Sequence, residues 1–418
     1  MTKVRVSKAD QNAVGTIKLS GSKSISNRVL IIQALCEGSF EILNLSDSDD
    51  TKTLQALLSS DSYELDAHHA GTTFRFLTSY LATRTGENIL TGSERMKERP
   101  IQALSDALIK MGADISYLNN EGYPPLKISA PTKRLDRKIS VSADISSQYI
   151  SSLLLVAPTL PNGLEITMLG DLVSRPYLEM TLKIMEYFGV SYTWNDHTIT
   201  VASQKYKARD FFVEADWSAA SYYYIIAAFA QVVDISLTGL QNDSLQGDSA
   251  IALIGNSFGL HTDYIDNSIR ITKSGNSPED FFEYDFLKCP DIAQSVSTMA
   301  AGAGVSALFT GLQTLRIKET DRIAALQTEL AKVHIWLSKL PAKFSKKSDL
   351  EYYMQEGNID GDEMAPTFAT YKDHRMAMAF GPLAQLFTIE IEDHMVVTKS
   401  YPGYWEDLKS LGFEVELV

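Results

Sequence analysis

The chain is expected to be an α/β protein of two similar domains, each assembled from three repeated α/β units. Three observations predict this. A junction of amphipathic helix, glycine and short strand recurs at Gly112, Gly189, Gly259 and Gly412. The first three are spaced by about 75 residues and the last gap is about twice that, too long a period for a solenoid but suited to small subdomains. At 418 residues the chain also exceeds one ordinary core.

Taken in order, residues 4–19 read as an N-terminal strand that must pair with one of the two domains. Gly21-Ser22-Lys23-Ser24-Ile25-Ser26-Asn27-Arg28 leads into the helical run 29–35, and a shortened first unit occupies residues 54–65. Residues 101–111 form the helix before Gly112, while Met185-Glu186-Tyr187-Phe188, Asn256-Ser257-Phe258 and Lys409-Ser410-Leu411 precede the other glycines. Each glycine should take the left-handed conformation that ends a helix. The missing junction falls at Val333-His334, between the helical run 323–333 and Ile335-Trp336-Leu337. Ala215-Asp216-Trp217-Ser218 is the expected second crossing between domains. The expected domains are therefore 1–19 with 215–418, and 20–214 with its first unit shortened.

Composition limits the function. Hydrophobic residues at 44% with 22% charged describe a globular protein. A net charge of -14 argues against nucleic acid, whose backbone needs a broad basic face. Any anion must meet locally concentrated cations. Cys36 and Cys289 are the only cysteines and neither has metal-ligand spacing, which fits a reduced, cytoplasmic compartment. No leader is visible at Met1-Thr2-Lys3-Val4, and no apolar run approaches the roughly 20 residues that span a bilayer.

Those local cations are present. Leu315-Arg316-Ile317-Lys318-Glu319-Thr320-Asp321-Arg322 packs three cations and two carboxylates just before the helical run 323–333. Alone, such a run is ordinarily an exposed helix start with local charge pairs. The arrangement recurs, however, in residues 21–28, in Arg95-Met96-Lys97-Glu98-Arg99-Pro100 before 101–111, and in Tyr371-Lys372-Asp373-His374-Arg375 before 376–386. A helix N-terminus carries unpaired N–H groups and partial positive charge, so basic residues there disfavour the helix unless an anion binds. Four cases argue for one large anionic site, with Glu319 placed to pass a proton among Arg316, Lys318 and Arg322.

With Ser48-Asp49-Asp50-Thr51, Ala70-Gly71-Thr72-Thr73-Phe74-Arg75, Ser146-Ser147-Gln148, Ser174-Arg175-Pro176-Tyr177, Pro290-Asp291 and Lys399-Ser400-Tyr401-Pro402, these runs form a collinear set. The set resembles the 5-enolpyruvylshikimate-3-phosphate (EPSP) synthase family along nearly the whole chain. The resemblance implies an enolpyruvyl-transferase fold of the inside-out α/β barrel type, with two domains that close on the substrates and an active site in the interdomain cleft. It implies transfer of the enolpyruvyl group of phosphoenolpyruvate to the 5-hydroxyl of shikimate 3-phosphate, releasing phosphate, on the route to chorismate and aromatic amino acids. It also implies a monomer without cofactor or metal, whose partners are these two small molecules.

By the same resemblance Lys23, Ser24, Arg28, Ser146, Ser147, Ser174, Tyr177, Asp291 and Lys318 bind shikimate 3-phosphate. Lys23, Gly71, Arg99, Gln148, Arg322, Arg375 and Lys399 hold phosphoenolpyruvate. Asp291 is the implied base and Glu319, with Lys318, the implied acid, Lys23 completing the catalytic set. The charges agree: two phosphates at about -1.5 to -2 each and two carboxylates meet the cations Lys23, Arg28, Arg99, Lys318, Arg322, Arg375 and Lys399.

Two departures stand out. His68-His69-Ala70-Gly71-Thr72 replaces the family's Gly-Asn-Ala-Gly-Thr, so His69 would make phosphoenolpyruvate binding pH-dependent near about pH 6.5. The segment 58–68 is also shorter than usual by a hairpin. Alternative readings are an inactive phosphometabolite-binding homologue, which loss of Lys23, Asp291 or Glu319 would favour, and the sister enzyme acting on UDP-N-acetylglucosamine. The latter relies on a cysteine in the loop equivalent to residues 91–99, where none occurs. A phosphate-binding P-loop kinase fails because Ser22 separates Gly21 from Lys23. A stand-alone chain, rather than part of a multifunctional polypeptide, is expected.

Overall fold

A computed structural model describes residues 2–129, 131, 136–142, 147–170, 175–344, 346–347, 350–359 and 365–418. Two compact units emerge: Met1–Ser20 with Glu214–Val418, and Gly21–Val213. Each has its own apolar core. In the first it gathers around Trp217, Tyr222, Tyr223 and Phe258, and in the second around Phe74, Phe76, Leu154 and Phe188.

Five four-stranded sheets repeat one pattern. In each, a helix leads into the second of two parallel strands, a further helical segment leads to the third strand, and the fourth strand inserts antiparallel between second and third. In the unit 21–213 the strands in spatial order are Glu64–Asp66, Glu87–Thr91, Leu126–Ser129 and Asp114–Tyr117 in one sheet. Lys138–Ser142, Leu164–Leu169, Thr198–Val201 and Tyr192–Asn195 form the other.

The unit containing residues 214–418 has three. The central one, in spatial order, is Phe281–Asp285, Ser306–Thr310, Tyr353–Gly357 and Ile335–Lys339. Another is Asn12–Lys18, Val232–Thr238, Ser268–Lys273 and Leu260–Ile265. In the last, Thr367–Phe368, Ile389–Glu392, Lys3–Lys8 and Phe413–Leu417, the N-terminal strand takes the fourth place. The sixth sheet has only Ile42–Leu43 and Phe211–Phe212, in parallel. Its third and fourth strands have no counterpart among the described residues, since the helix Asp49–Leu58 runs almost directly into Glu64–Asp66.

The single strand expected over residues 4–19 is instead two, Lys3–Lys8 and Asn12–Lys18, in different sheets. Asp10 turns the chain between them, its Oδ1 accepting from Asn12 N at 3.0 Å. Both strands bury alternate residues, Val4 and Val6 in one and Ala13 and Ile17 in the other, so the alternation masked the turn.

All four junction glycines are left-handed, with φ of +109° at Gly112, +83° at Gly189, +72° at Gly259 and +86° at Gly412. Each precedes the third strand of its sheet. At the junction lacking a glycine, His334 takes the conformation itself, at φ +60°. A repeated backbone geometry persists there despite a side chain that disfavours it.

Candidate active site

In the unit containing residues 214–418, four helices bring their N-terminal turns together: Trp217–Phe229, Ala293–Gly302, Arg322–Ala331 and His374–Phe380. Aspartates start three of them. Asp216 accepts from Ala219 N, Asp321 from Ile323 N and Ala324 N, and Asp373 from Arg375 N. These caps satisfy N–H groups that a helix start leaves unpaired, and they fix where the following cations begin.

Arg322 is the hub. Its side chain is 2% exposed and donates from Nε to Asp373 Oδ2 at 2.8 Å, from Nη1 to Asp291 Oδ1 at 3.0 Å and from Nη2 to Glu319 Oε2 at 2.9 Å. Burial works against its charge, but Asp373, Glu319 and Asp291 outweigh it and raise its pKa. Further cations attach to the same two carboxylates. Lys318 Nζ lies 3.4 Å from Asp291 Oδ1, Arg375 Nη2 lies 3.6 Å from Asp291 Oδ2, and Lys399 Nζ donates to Glu319 Oε1 at 3.0 Å. Lys318, Arg322, Arg375, Lys399, Asp291 and Glu319 thus form one connected network. Arg316, from the same basic run as Lys318 and Arg322, turns instead to Glu351, Tyr353 and Asp321.

In the unit 21–213, five helices do the same: Lys23–Leu35, Asp49–Leu58, Gly71–Ala82, Ser147–Val156 and Arg175–Tyr187. Lys23 Nζ lies 3.5 Å from Asp50 Oδ2, the Asp50 carbonyl accepts from Thr73 Oγ1, and Thr72 Oγ1 accepts from Gln148 Nε2 at 3.2 Å. Gln148 Oε1 accepts from Arg75 Nη1 at 2.7 Å. Gly71 explains the crowding beside Thr72. A Cβ built there would stand 2.8 Å from Nη1 of both Arg75 and Arg99, so only glycine lets the two guanidinium heads approach the helix start. Arg95 and Lys97, from the same run as Arg99, pair with Glu98 and Glu94 at the surface.

Arg28 differs from Arg322. It is 2% exposed and its donors go to neutral acceptors: Nε to Thr181 Oγ1 at 2.7 Å, Nη1 to the Ser24 carbonyl at 2.7 Å, and Nη2 to Ser151 Oγ and the Tyr177 carbonyl at 3.3 Å. Its guanidinium also sits 5.5 Å from the Phe76 ring. Among the described residues no carboxylate neutralises it, and burial pushes its pKa down to about 10. A buried cation among neutral acceptors favours the approach of an anion.

Of the expected residues, Lys23, Ser24, Gly71, Ser147, Gln148 and Tyr177 therefore belong to the first turns of these helices, Arg28 to the second turn of Lys23–Leu35 and Arg99 to the loop against Gly71, and Asp291, Lys318, Glu319, Arg322, Arg375 and Lys399 belong to the other network. Ser146 and Ser174 lie outside the described residues. His69 is exposed in the loop before Gly71. Asp50, Arg75 and Asp373 stand in the motifs quoted above, but only the structure gives them partners. Asp248 was missed altogether, and Ser218 was read only as part of the crossing between domains. Ser218 Oγ accepts from Arg375 Nη2 at 3.2 Å and donates to Asp248 Oδ2. Among the described residues, no group of three His, Cys, Asp or Glu side chains is placed to hold a metal ion. No helix among them is long and apolar enough to cross a membrane.

A family model described as EPSP synthase (3-phosphoshikimate 1-carboxyvinyltransferase) matches residues 8–60 and 54–408. A 3-phosphoshikimate 1-carboxyvinyltransferase of Bacteroides fragilis is 46% identical over 404 residues, 96% of each chain. Another, from Erwinia tasmaniensis, is 36% identical over 427 residues, covering 95% of this chain and 96% of its own. Among solved structures, an EPSP synthase from Acinetobacter baumannii matches the full length of both chains with a TM-score of 0.79 at 19% identity. The enolpyruvyl transferase NikO from Streptomyces tendae matches with 0.74 at 14%, covering 100% of this chain and 99% of its own. These two show likeness of fold.

Proposed function

This chain belongs to the EPSP synthase family, and from that premise we propose how its residues carry the reaction. The chain transfers the enolpyruvyl group of phosphoenolpyruvate to the 5-hydroxyl of shikimate 3-phosphate and releases phosphate. One observation supports the assignment of roles above the rest: the Asp291 and Glu319 carboxylates are bridged by the buried Arg322 at 3.0 Å and 2.9 Å, and each touches a further cation. Two proton-transfer groups in a cationic setting suit a reaction between polyanions.

In the addition step Asp291 takes the proton of the attacking hydroxyl, and Glu319 with Lys318 delivers one to the methylene carbon. Lys399, which donates to Glu319 Oε1 at 3.0 Å, holds that carboxyl in place. In the elimination step the new methyl returns a proton, the carbon–oxygen bond to phosphate breaks, and the surrounding cations take up the leaving charge. Shikimate 3-phosphate is held by Lys23, Ser24, Arg28, Ser146, Ser147, Ser174, Tyr177, Asp291 and Lys318. Lys23, Gly71, Arg99, Gln148, Arg322, Arg375 and Lys399 hold phosphoenolpyruvate. The uncompensated charge of buried Arg28 supports a phosphate there, since the hydroxyls of Thr181 and Ser151 lie against its guanidinium fork. A single chain acting in the cytoplasm is part of the proposal, supported by the free cysteines Cys36 and Cys289.

Phosphate release measured with both substrates, and with each alone, tests the reading. Release is expected only with both, and Asp291→Asn and Glu319→Gln should each lower it by about a hundredfold or more, the usual loss of a general acid or base. Release from phosphoenolpyruvate alone would point to hydrolysis or another acceptor.

A further inference from the structure

Resting on that reading, we propose that Asp248 is a positioning residue for Arg375, acting through the hydroxyl of Ser218. A serine hydroxyl has one proton and two lone pairs. Given to Asp248 Oδ2, that proton leaves the lone pairs for Arg375 Nη2, 3.2 Å away. The other arm of the guanidinium, Nη1, donates to the Asp291 carbonyl at 2.9 Å. Both arms are thereby tied, and the plane that would receive a carboxylate or phosphate is set before the ligand arrives.

Asp248 is itself held in place. It lies in the turn Gly247–Ala250, directly after Gln246, whose Nε2 donates to the Ala215 carbonyl at 2.8 Å and to Glu214 Oε2 at 2.9 Å. Gln246 Oε1 accepts from Trp217 N, which staples the turn to the helix that carries Ser218. The carboxyl is 5% exposed, caps no helix, and has its only hydrogen bond among the described residues with Ser218. A buried acid with one partner, where that partner touches a site arginine, serves the arginine rather than the fold.

Its surroundings also link this position to protonation. Facing it are Asp291 and Cys289 from the segment before the helix Ala293–Gly302, Arg375 from the helix His374–Phe380, Asp216 and Ser218 from the start of Trp217–Phe229, and Tyr284 from the strand Phe281–Asp285. Burial, then the charge of Asp291, push the Asp248 carboxyl up to about 7, against the pull of Arg375 and Ser218. An anion arriving at Arg375 adds negative charge and favours the protonated acid further, so binding takes up a proton. Above neutrality the ionised Asp248 competes for Arg375, and phosphoenolpyruvate binding weakens.

The test is steady-state phosphate release by the full chain from about pH 6 to about pH 9, a range that brackets the titration. It compares wild type, Asp248→Ala and Asp248→Asn, with thermal melts of each. Asp248→Ala should raise KM for phosphoenolpyruvate about tenfold, the size of one charge-assisted hydrogen bond, with KM for shikimate 3-phosphate within about twofold. Asp248→Asn still accepts the serine proton, so it should restore most of the affinity and abolish the rise of KM above neutrality. The proposal is overturned if both KM values move together, if asparagine harms as much as alanine, or if its pH profile matches wild type. Should the alanine variant not fold, the asparagine profile decides. Wild type that releases no phosphate with both substrates present overturns the parent reading and this assignment with it, whereas active wild type with a pH-independent KM overturns this assignment alone.

Discussion

Arg322 and Asp373 form a buried ion pair, Nε to Oδ2 at 2.8 Å, with side chains 2% and 0% exposed. The other oxygen of Asp373 accepts from Arg375 N, so one carboxylate clamps one site arginine and starts the helix that carries another. Two buried charges are tolerated only while both remain paired. Asp373→Ala is expected to lower the unfolding free energy by about 3 kcal/mol in urea melts, with a fall in kcat/KM for phosphoenolpyruvate of about a hundredfold. An unchanged urea midpoint would mean that Arg322 finds its counter-charge elsewhere.

Arg28 should show the opposite balance. Its charge is buried among neutral acceptors at a desolvation cost that a bound anion would offset. Arg28→Met should leave stability within about 1 kcal/mol, because a buried cation is exchanged for an apolar group of similar length. The same variant should lose the rise in melting temperature that shikimate 3-phosphate gives wild type, which follows ligand binding to the folded state. A large loss of stability in the empty variant would show that the guanidinium is a structural cross-link.

Gly71→Ala places a methyl 2.8 Å from the heads of Arg75 and Arg99. Both are ends of flexible side chains, so they move aside and the fold survives. KM for phosphoenolpyruvate should rise about tenfold, as for one misplaced charge-assisted contact, with the melting temperature nearly unchanged. An unaltered KM would remove Arg99 from the phosphoenolpyruvate contacts.

Acid stability should depend in part on Glu351, far from these contacts in sequence. Hydrogen bonds from Lys339, then Tyr353 and Arg316, hold its carboxyl down to about 2, from 4.5. A depressed acid stabilises the fold fully above the unfolded value, and that contribution is lost as pH falls through the folded one. Between pH 4.5 and about 2, Glu351→Gln should therefore lose stability less steeply than wild type. Parallel urea midpoints across that window would show that the three partners do not act through its charge.

The legible parts of this chain are those where chemistry leaves one residue type little freedom. Glycines at 112, 189, 259 and 412 marked the helix ends because a left-handed residue ends a helix most cheaply without a side chain. His334 broke the rule in residue type while keeping its geometry, and only the spacing of its neighbours pointed to it. Basic residues ahead of helices were legible for a similar reason, since a polyanion demands them. Which cation of a run turns inward was not. Arg316 and Arg322 share eight residues of sequence, yet the turn Gln313–Ile317 carries the first to Glu351 while the Asp321 cap begins a helix that carries the second to Asp291.

By itself, then, the sequence determined the class of fold, the repeated helix-to-strand junction and the supply of cations and carboxylates for an anionic ligand. Those depend on local propensity and on residue type. Tertiary structure alone decided that the alternating residues 4–19 divide between two sheets, that Gly71 admits two arginine heads, and that Asp248 reaches Arg375 through Ser218. Such contacts join residues far apart along the chain. Their energies exist only once the backbone has brought the partners within hydrogen-bond range.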